Sequence, residues 1–203
     1  NECKYLEYLK EYIVKYSNYK PDFYPYFKTS FSPSIIKWSR DETNGTSIGN
    51  GAMMRISPVG YMFDTEQEVI KNAYLATIPT HNSSEALFYA TNIALMIYYF
   101  RVGYSKEDVI KKLNLKVEYI PFTKFNCTCK ETFGNVLYAI FNSNSFDDAI
   151  KQIIYMGGDT DTNAAIVGSV AEAIYGVPYD LIEIVNKKIP NEFLKILTKS
   201  NYK

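Results

Sequence analysis

The segment of this 203-residue chain whose residue types are best suited to chemistry is Gly157-Gly158-Asp159-Thr160-Asp161-Thr162-Asn163. We call it the acidic turn. Two glycines allow a sharp backbone turn, and two carboxylates and a hydroxyl follow at the start of a helix rich in small residues. Hard cations such as Mg²⁺ bind carboxylate and hydroxyl oxygens that are held close together. We therefore predict a metal site formed by Asp159, Asp161 and Thr162. The simpler alternative is that one aspartate only caps the helix.

Two earlier segments have residues suited to a phosphorylated ligand. Residues 47–51 read Ser-Ile-Gly-Asn-Gly, which we call the glycine turn. Glycines around an asparagine permit positive φ and expose backbone N–H groups that can line a diphosphate, although the same pattern also forms plain turns. Arg55 follows, either to contact phosphate or to pair with a structural carboxylate. His81 is the only histidine and directly precedes a predicted helix. It is either structural or orients a ribose hydroxyl or a phosphate.

Two other chemistries agree less well with the sequence. Asp-x-Asp-x-Thr opens the aspartyl-phosphate phosphatase type of fold, but the fifth position here is Asn163. Too few residues follow it to form a doubly wound sheet. The Cys127-x-Cys129 pair is too isolated for zinc, which needs four ligands.

Apolar residues recur at helical spacing through almost the whole chain, and no sustained two-residue alternation predicts a strand. We predict one all-α domain over residues 1–203, with an irregular aromatic-rich connection at 22–50. The predicted helices cover residues 5–16, 66–77, 84–101, about ten residues after Ser105, 131–142, 146–156, 161–175, and the segment after Pro178.

Composition limits the partners and the compartment. Lys+Arg and Asp+Glu both number 22, so no net field attracts nucleic acid or an anionic membrane. No stretch approaches the roughly 20 apolar residues of a membrane span. The three cysteines are an odd number and too few for a disulfide scaffold, so we expect a reducing, cytoplasmic location.

The three segments, in this order, resemble the ADP-ribosylglycohydrolase family. That family includes dinitrogenase-reductase-activating glycohydrolases and ADP-ribosylarginine and ADP-ribosylserine hydrolases. Its Gly-Asn-Gly-x-x-Met-Arg is similar to residues 49–55, its Thr-His to Thr80-His81, and its Gly-Gly-Asp-x-Asp-Thr to residues 157–162. The flanking segments 57–60 and 171–176 agree as well, so the resemblance covers nearly the whole chain.

The resemblance implies a compact all-helical domain, of which this chain is the larger, C-terminal part. The implied activity is magnesium-dependent hydrolysis of the N- or O-glycosidic bond of an ADP-ribose conjugate. The conjugate is ADP-ribose on a protein or on a small molecule. Two Mg²⁺ ions, or Mn²⁺ in their place, are implied, with Asp159, Asp161 and Thr162 holding one half of the site. The ADP-ribose cleft would be lined by Ser47, Gly49, Asn50, Gly51 and His81.

One departure from the family pattern concerns the other half of the metal site. The family's Thr-Asp-Asp-Thr motif near the N-terminus has no counterpart here, and the only adjacent aspartates, Asp147-Asp148, begin a predicted helix. We therefore expect a missing N-terminal segment, and we assign no general base within this chain. The alternative is a non-catalytic relative that binds ADP-ribose or is structural, as lens crystallins of this family are, and has lost that half of the site.

Overall fold

The computed structural model describes residues 2–19, 31–41, 45–121, 125 and 127–199, and these form twelve helices. The helices are α1 (Glu2–Tyr16), α2 (Pro33–Arg40), α3 (Gly51–Met54), α4 (Ser57–Met62), α5 (Glu66–Thr77), α6 (Ser84–Arg101), α7 (Lys106–Leu113), α8 (Cys129–Asn142), α9 (Phe146–Met156), α10 (Thr160–Tyr175), α11 (Tyr179–Lys188) and α12 (Asn191–Lys199).

The all-α prediction is confirmed, and most helix ends lie where the local sequence predicts them. The helix α6 begins after Ser83, whose side chain accepts a hydrogen bond from Ala86 N at 3.1 Å, and it ends before Gly103, which has φ of 92°. Ser105 forms a capping box with Asp108 at the start of α7. These helix boundaries therefore coincide with caps that are encoded in the adjacent residues.

The prediction of an irregular connection over residues 22–50 is wrong at α2. Ser32 caps this helix by accepting from Ile35 N, and Pro33 occupies its first turn. Residues 22–30 and 42–44 of that connection lie outside the described residues. The short helices α3 and α4 also follow the glycine turn without having been predicted.

The centre of the core is α6, which packs against α3, α4, α5, α7, α8 and α10. Ten of its 18 residues are buried, as expected for a helix that is apolar on all sides. Gly60 of α4 lies against it so closely that a Cβ there would come within 2.6 Å of Ala94 O. The helix α10, which follows the acidic turn, packs against α3, α4, α6, α8 and α9.

Hydrogen bonds between residues far apart in sequence hold several segments of the chain together. Within the described residues the only β-type pairing consists of two isolated bridges, Thr46 with His81 and Gly49 with Thr128. At the other end of the domain, Glu192 of α12 accepts hydrogen bonds from Lys15 and Tyr16 of α1. None of the described helices combines the length and apolarity needed to cross a membrane.

Candidate functional site

Asp159 occupies the N-cap position of α10, yet its carboxylate makes no capping hydrogen bond to that helix. By contrast, Ser83, Ser105 and Thr128 cap their own helices. The Asp159 carboxylate instead accepts a hydrogen bond from Asn50 Nδ2, with 2.8 Å between Nδ2 and Oδ2. The Asp159 carboxylate therefore ties the acidic turn to the glycine turn.

Asn50 connects three parts of the chain at this point. Its side chain is only 5% exposed, and Nδ2 also lies 3.3 Å from Thr132 Oγ1 of α8. Its backbone N–H donates to Cys127 O at 2.8 Å. Because the amide is buried and already bonded to Asp159, Asn50 holds the acidic turn in place. Its backbone C=O accepts from Met53 N at 2.9 Å, so both backbone groups are occupied and the expectation of an exposed N–H is wrong at Asn50.

The two carboxyl groups of the acidic turn lie close enough to share a proton. Burial, with the charge of Asp161, raises the pKa of Asp159 above its usual range, while the hydrogen bond from Asn50 opposes this rise. The hydrogen bond from Asp159 lowers the pKa of Asp161, and the backbone N–H of Thr162 donates to Asp161 Oδ1 at 2.9 Å. The Thr162 side chain also hydrogen-bonds Asp159.

These groups fit one side of a magnesium centre. Asp159, Asp161 and Thr162 would hold a divalent cation, whose charge would offset the repulsion between the two carboxylates. Mg²⁺ prefers six oxygen ligands, of which this turn supplies about three. Within the described part of the chain, no group of three or more His, Cys, Asp or Glu side chains could hold a metal. The remaining ligands would therefore have to be water, substrate or groups beyond these residues.

The glycine turn is held close to its neighbours, but not by unusual backbone dihedrals. Neither Gly49 nor Gly51 is among the described glycines with positive φ, whereas Gly157 and Gly158 are, at 81° and 75°. A Cβ on Gly49 would lie 3.2 Å from Ser47 Oγ, which itself accepts from Gly49 N at 3.1 Å. The expectation of positive φ at these glycines is therefore wrong; the missing Cβ allows close approach at Gly49, whereas Gly51 has only ordinary contacts.

His81 faces this turn. Its side chain is 6% exposed, and Nε2 would lie 3.8 Å from a Cβ on Gly49 and 3.9 Å from one on Gly51. The other ring nitrogen, Nδ1, lies 2.7 Å from Thr80 Oγ1. Burial, together with the nearby charge of Arg55, lowers the pKa of His81 to about 3, so the ring is neutral at physiological pH.

Arg55 has a structural position in the fold. Its guanidinium donates to Ala76 O at 3.3 Å and to Thr80 Oγ1, and burial lowers its pKa to about 10. It forms no ion pair with any described carboxylate, so the expected carboxylate pairing is wrong. The residue links the end of α3 to the end of α5.

Residues 127–132 hydrogen-bond to the glycine turn and were not predicted as site residues. Cys129 is buried, and its thiol donates to Gly49 O at 3.1 Å; burial raises its pKa to about 12. Both Cys127 and Cys129 are free. One local signal was available, because Thr128-x-x-Glu131 is a capping-box pattern, and both of its side chains take part in it.

The family model for ADP-ribosylglycohydrolase matches residues 27–200. ADP-ribosylarginine hydrolase Tri1 of Pseudomonas putida is 24% identical over 160 residues, which cover 70% of this chain and 42% of that protein. ADP-ribosyl-[dinitrogen reductase] glycohydrolase of Rhodospirillum rubrum is 27% identical over 141 residues, covering 64% and 47%. The chain thus spans about half the length of these curated relatives.

A solved structure titled ADP-ribosylglycohydrolase-related protein complex has the same fold. It superposes with a TM-score of 0.58 at 20% identity, covering 88% of this chain and 65% of that chain. The family model spans most of the sequence, and the glycine turn and the acidic turn are hydrogen-bonded to each other. This chain therefore belongs to the ADP-ribosylglycohydrolase family.

Proposed function

We propose that this chain forms the larger part of a magnesium-dependent hydrolase that cleaves the N- or O-glycosidic bond of ADP-ribose conjugates. The single observation that carries the proposal is the hydrogen bond from Asn50 Nδ2 to Asp159 Oδ2. It joins the segment suited to phosphate with the segment suited to a cation. A ligand with a diphosphate at one end and a ribose at the other would need both in one cleft.

The glycine turn would take the diphosphate. A Cβ on Gly51 would meet only the His81 ring, at 3.9 Å, whereas the space beside Gly49 is bounded by Ser47 Oγ at 3.2 Å, so phosphate oxygens would approach the turn at Gly51. Ser47 and the neutral His81 ring add polar groups at the same place. Because His81 is uncharged, the site would bind phosphate through hydrogen bonds rather than through an ion pair.

The acidic turn would take the ribose that is to be released. Asp159, Asp161 and Thr162 would hold Mg²⁺, which when bound polarises oxygen ligands and lowers the pKa of water. Asn50 would keep the Asp159 carboxylate oriented towards the ion. Cleavage passes through an oxocarbenium-like transition state, as in other glycoside hydrolysis. No described residue is assigned as the base that activates water.

The substrate is proposed from the relatives' names. One matched relative is named for ADP-ribosylarginine and another for ADP-ribosyl-dinitrogen reductase. An ADP-ribosylated protein with an arginine linkage is therefore the first conjugate to test, followed by a serine linkage and a small molecule. The free thiols of Cys127 and Cys129 suit a reducing compartment such as the cytoplasm.

The direct test measures free ADP-ribose released from an ADP-ribosylated peptide, with Mg²⁺ and with EDTA. Asp161→Asn should abolish release, because it removes a charge from the proposed cation site. Asp147→Asn is the matched control, since Asp147 is an exposed acid in the first turn of α9. Equal release by the wild type and Asp161→Asn would refute the metal role.

A second candidate function is a non-catalytic relative that binds ADP-ribose or has a structural role. The observation in its favour is that the acidic turn brings only two carboxylates together. Calorimetry separates the two candidates. Binding of ADP-ribose without any hydrolysis of a conjugate would support the non-catalytic function.

A further inference from the structure

We propose that Arg55 and Thr80 are positioning residues that hold His81 in one neutral tautomer, with its hydrogen on Nε2. In that tautomer the ring presents a hydrogen-bond donor to an acceptor oxygen of a ligand on the glycine turn. We call the three side chains the Arg55–Thr80–His81 relay. The ligand part rests on the proposed function, whereas the tautomer does not depend on it.

The first step concerns the hydroxyl of Thr80, a side chain that is 4% exposed. A threonine hydroxyl has one hydrogen and two lone pairs. Arg55 Nη2 donates to this oxygen, and a guanidinium has no lone pair with which to accept in return. Among the residues that the structure describes, the other polar atom in contact is His81 Nδ1 at 2.7 Å. The hydroxyl hydrogen therefore points to Nδ1, which must carry a lone pair.

The second step compares the two tautomers of the imidazole. If Nδ1 carried the hydrogen, the Thr80 oxygen would accept from two donors, and its own hydrogen would have no partner in a buried place. The penalty for an unpaired buried donor corresponds to about a 5- to 150-fold preference for the paired arrangement. The relay is therefore strong enough to populate mainly the Nε2–H tautomer.

The third step excludes the doubly protonated ring. A hydrogen on both nitrogens would make Nδ1 and the Thr80 hydroxyl compete as donors beside the cationic Arg55. Burial and the charge of Arg55 both act against protonation of His81, and its pKa falls to about 3. Arg55 is the charged group that acts on the ring. The neutral form is thus kept through the physiological pH range.

The fourth step places the remaining ring nitrogen. The strand-like pairing of residues 45–47 with 79–82 fixes the backbone on both sides, through Ser47 N to Thr80 O at 3.2 Å and Asn82 N to Gly45 O at 2.9 Å. Nε2 consequently stays directed at Gly49 and Gly51. A fixed N–H at this position can donate to a phosphate or ribose oxygen, and it cannot remove a proton from water.

The full chain labelled at its only histidine gives one pair of ring nitrogens, so their NMR spectrum needs no assignment. We expect a protonated Nε2 and an unprotonated Nδ1, unchanged from pH about 8 to about 5, where a free histidine titrates. Thr80→Val should produce a mixture of tautomers, and Thr80→Ser should restore the single one. Thr77→Val is the matched control, because Thr77 Oγ1 is buried without a partner among the described residues.

Two results would overturn the proposal: a hydrogen on Nδ1 in the wild type, or an unchanged Nε2–H tautomer in Thr80→Val. If Thr80→Val does not fold, the wild-type and Thr80→Ser spectra still decide. Titration with ADP-ribose should shift the Nε2 resonance. Failure of ADP-ribose to bind while the Nε2–H tautomer is present would reject the proposed function and support the relay. Binding with the hydrogen on Nδ1 would reject the relay alone.

Discussion

Replacing Asn50 by leucine should weaken the binding of a divalent cation at the acidic turn while leaving the domain folded. The substitution keeps the branched shape of the side chain in a larger, apolar form and removes the Nδ2 hydrogen bonds to Asp159 Oδ2 at 2.8 Å and Thr132 Oγ1 at 3.3 Å. Asn50 has φ of −64° and ψ of −12°, which leucine adopts without strain. The added volume is common to the matched control Asn92→Leu, so the lost hydrogen bond to Asp159 is what distinguishes the two variants.

Two independent estimates give the size of the effect. A hydrogen bond to a charged group contributes about 1.5–3 kcal/mol, which is about a 10- to 150-fold change in an equilibrium constant. Removing a residue that orients a metal ligand costs about 10- to 100-fold in metal affinity. The ranges overlap, so we expect Asn50→Leu to bind the cation about 10- to 100-fold more weakly.

The assay uses Mn²⁺ as a paramagnetic substitute for Mg²⁺ and measures free Mn²⁺ by electron paramagnetic resonance during titration. Asn92→Leu is the matched control. Asn92 is 6% exposed, against 5% for Asn50, and its Nδ2 donates to Phe88 O within its own helix. It should lose stability without any change in Mn²⁺ affinity, and urea unfolding of both variants verifies that they are folded.

The reasoning is refuted if Asn50→Leu binds Mn²⁺ as tightly as the wild type. Equal weakening in Asn92→Leu would show that the loss is a general effect of core substitution. If the wild-type protein does not bind Mn²⁺ at all, the metal dependence in the proposed function is refuted as well.

Three further predictions concern stability and can be measured by urea unfolding. Gly60→Ala should lower the free energy of unfolding by about 1–3 kcal/mol, because its Cβ would come within 2.6 Å of Ala94 O. The control Gly168→Ala meets only ordinary contacts, so it should be neutral or stabilise the domain by up to about 1 kcal/mol. Ser105→Ala should cost about 1 kcal/mol through loss of the capping box of α7, and no loss would contradict it. The pKa of His81 is about 3 in the folded chain and about 6.5 in the unfolded chain, so the unfolded chain binds the proton first as the pH falls. Lowering the pH from about 8 to about 5 should therefore reduce the free energy of unfolding by about 2 kcal/mol. His81→Gln should remove that part of the pH dependence.

The helices could be predicted where their signals are local. Ser83 and Gly103 mark the two ends of α6 within a few residues of the helix itself, and the structure has the same boundaries. The helix α2 also has a local signal, Ser32-Pro33, but it lies in an aromatic-rich segment without a long apolar period. The equally short α7 begins with the Ser105–Asp108 capping box, whereas α2 has no acidic residue in its first turn to strengthen the signal.

The sequence indicates which residue types form the candidate site, but it does not indicate which of them are hydrogen-bonded to each other. The sequence indicates the residue types of the acidic turn and the glycine turn, and the family resemblance gives their order. The hydrogen bond from Asn50 to Asp159 spans 109 positions, so no spacing rule identifies it. The same is true of Arg55, whose partners Ala76 and Thr80 depend on how α3 meets the end of α5.

The two isolated bridges have a consequence for how this chain would respond to a ligand. The glycine turn is bonded on one side to the segment before α6, through Thr46 and His81, and on the other to the segment before α8, through Gly49 and Thr128. Neither of these two segments is adjacent to the glycine turn in sequence, so the turn has this arrangement only when the surrounding helices are packed together. A ligand bound at the glycine turn would therefore stabilise three segments at once: the turn itself, the segment before α6 and the segment before α8. Backbone amides in all three should then become protected from hydrogen exchange together, as one cooperative unit.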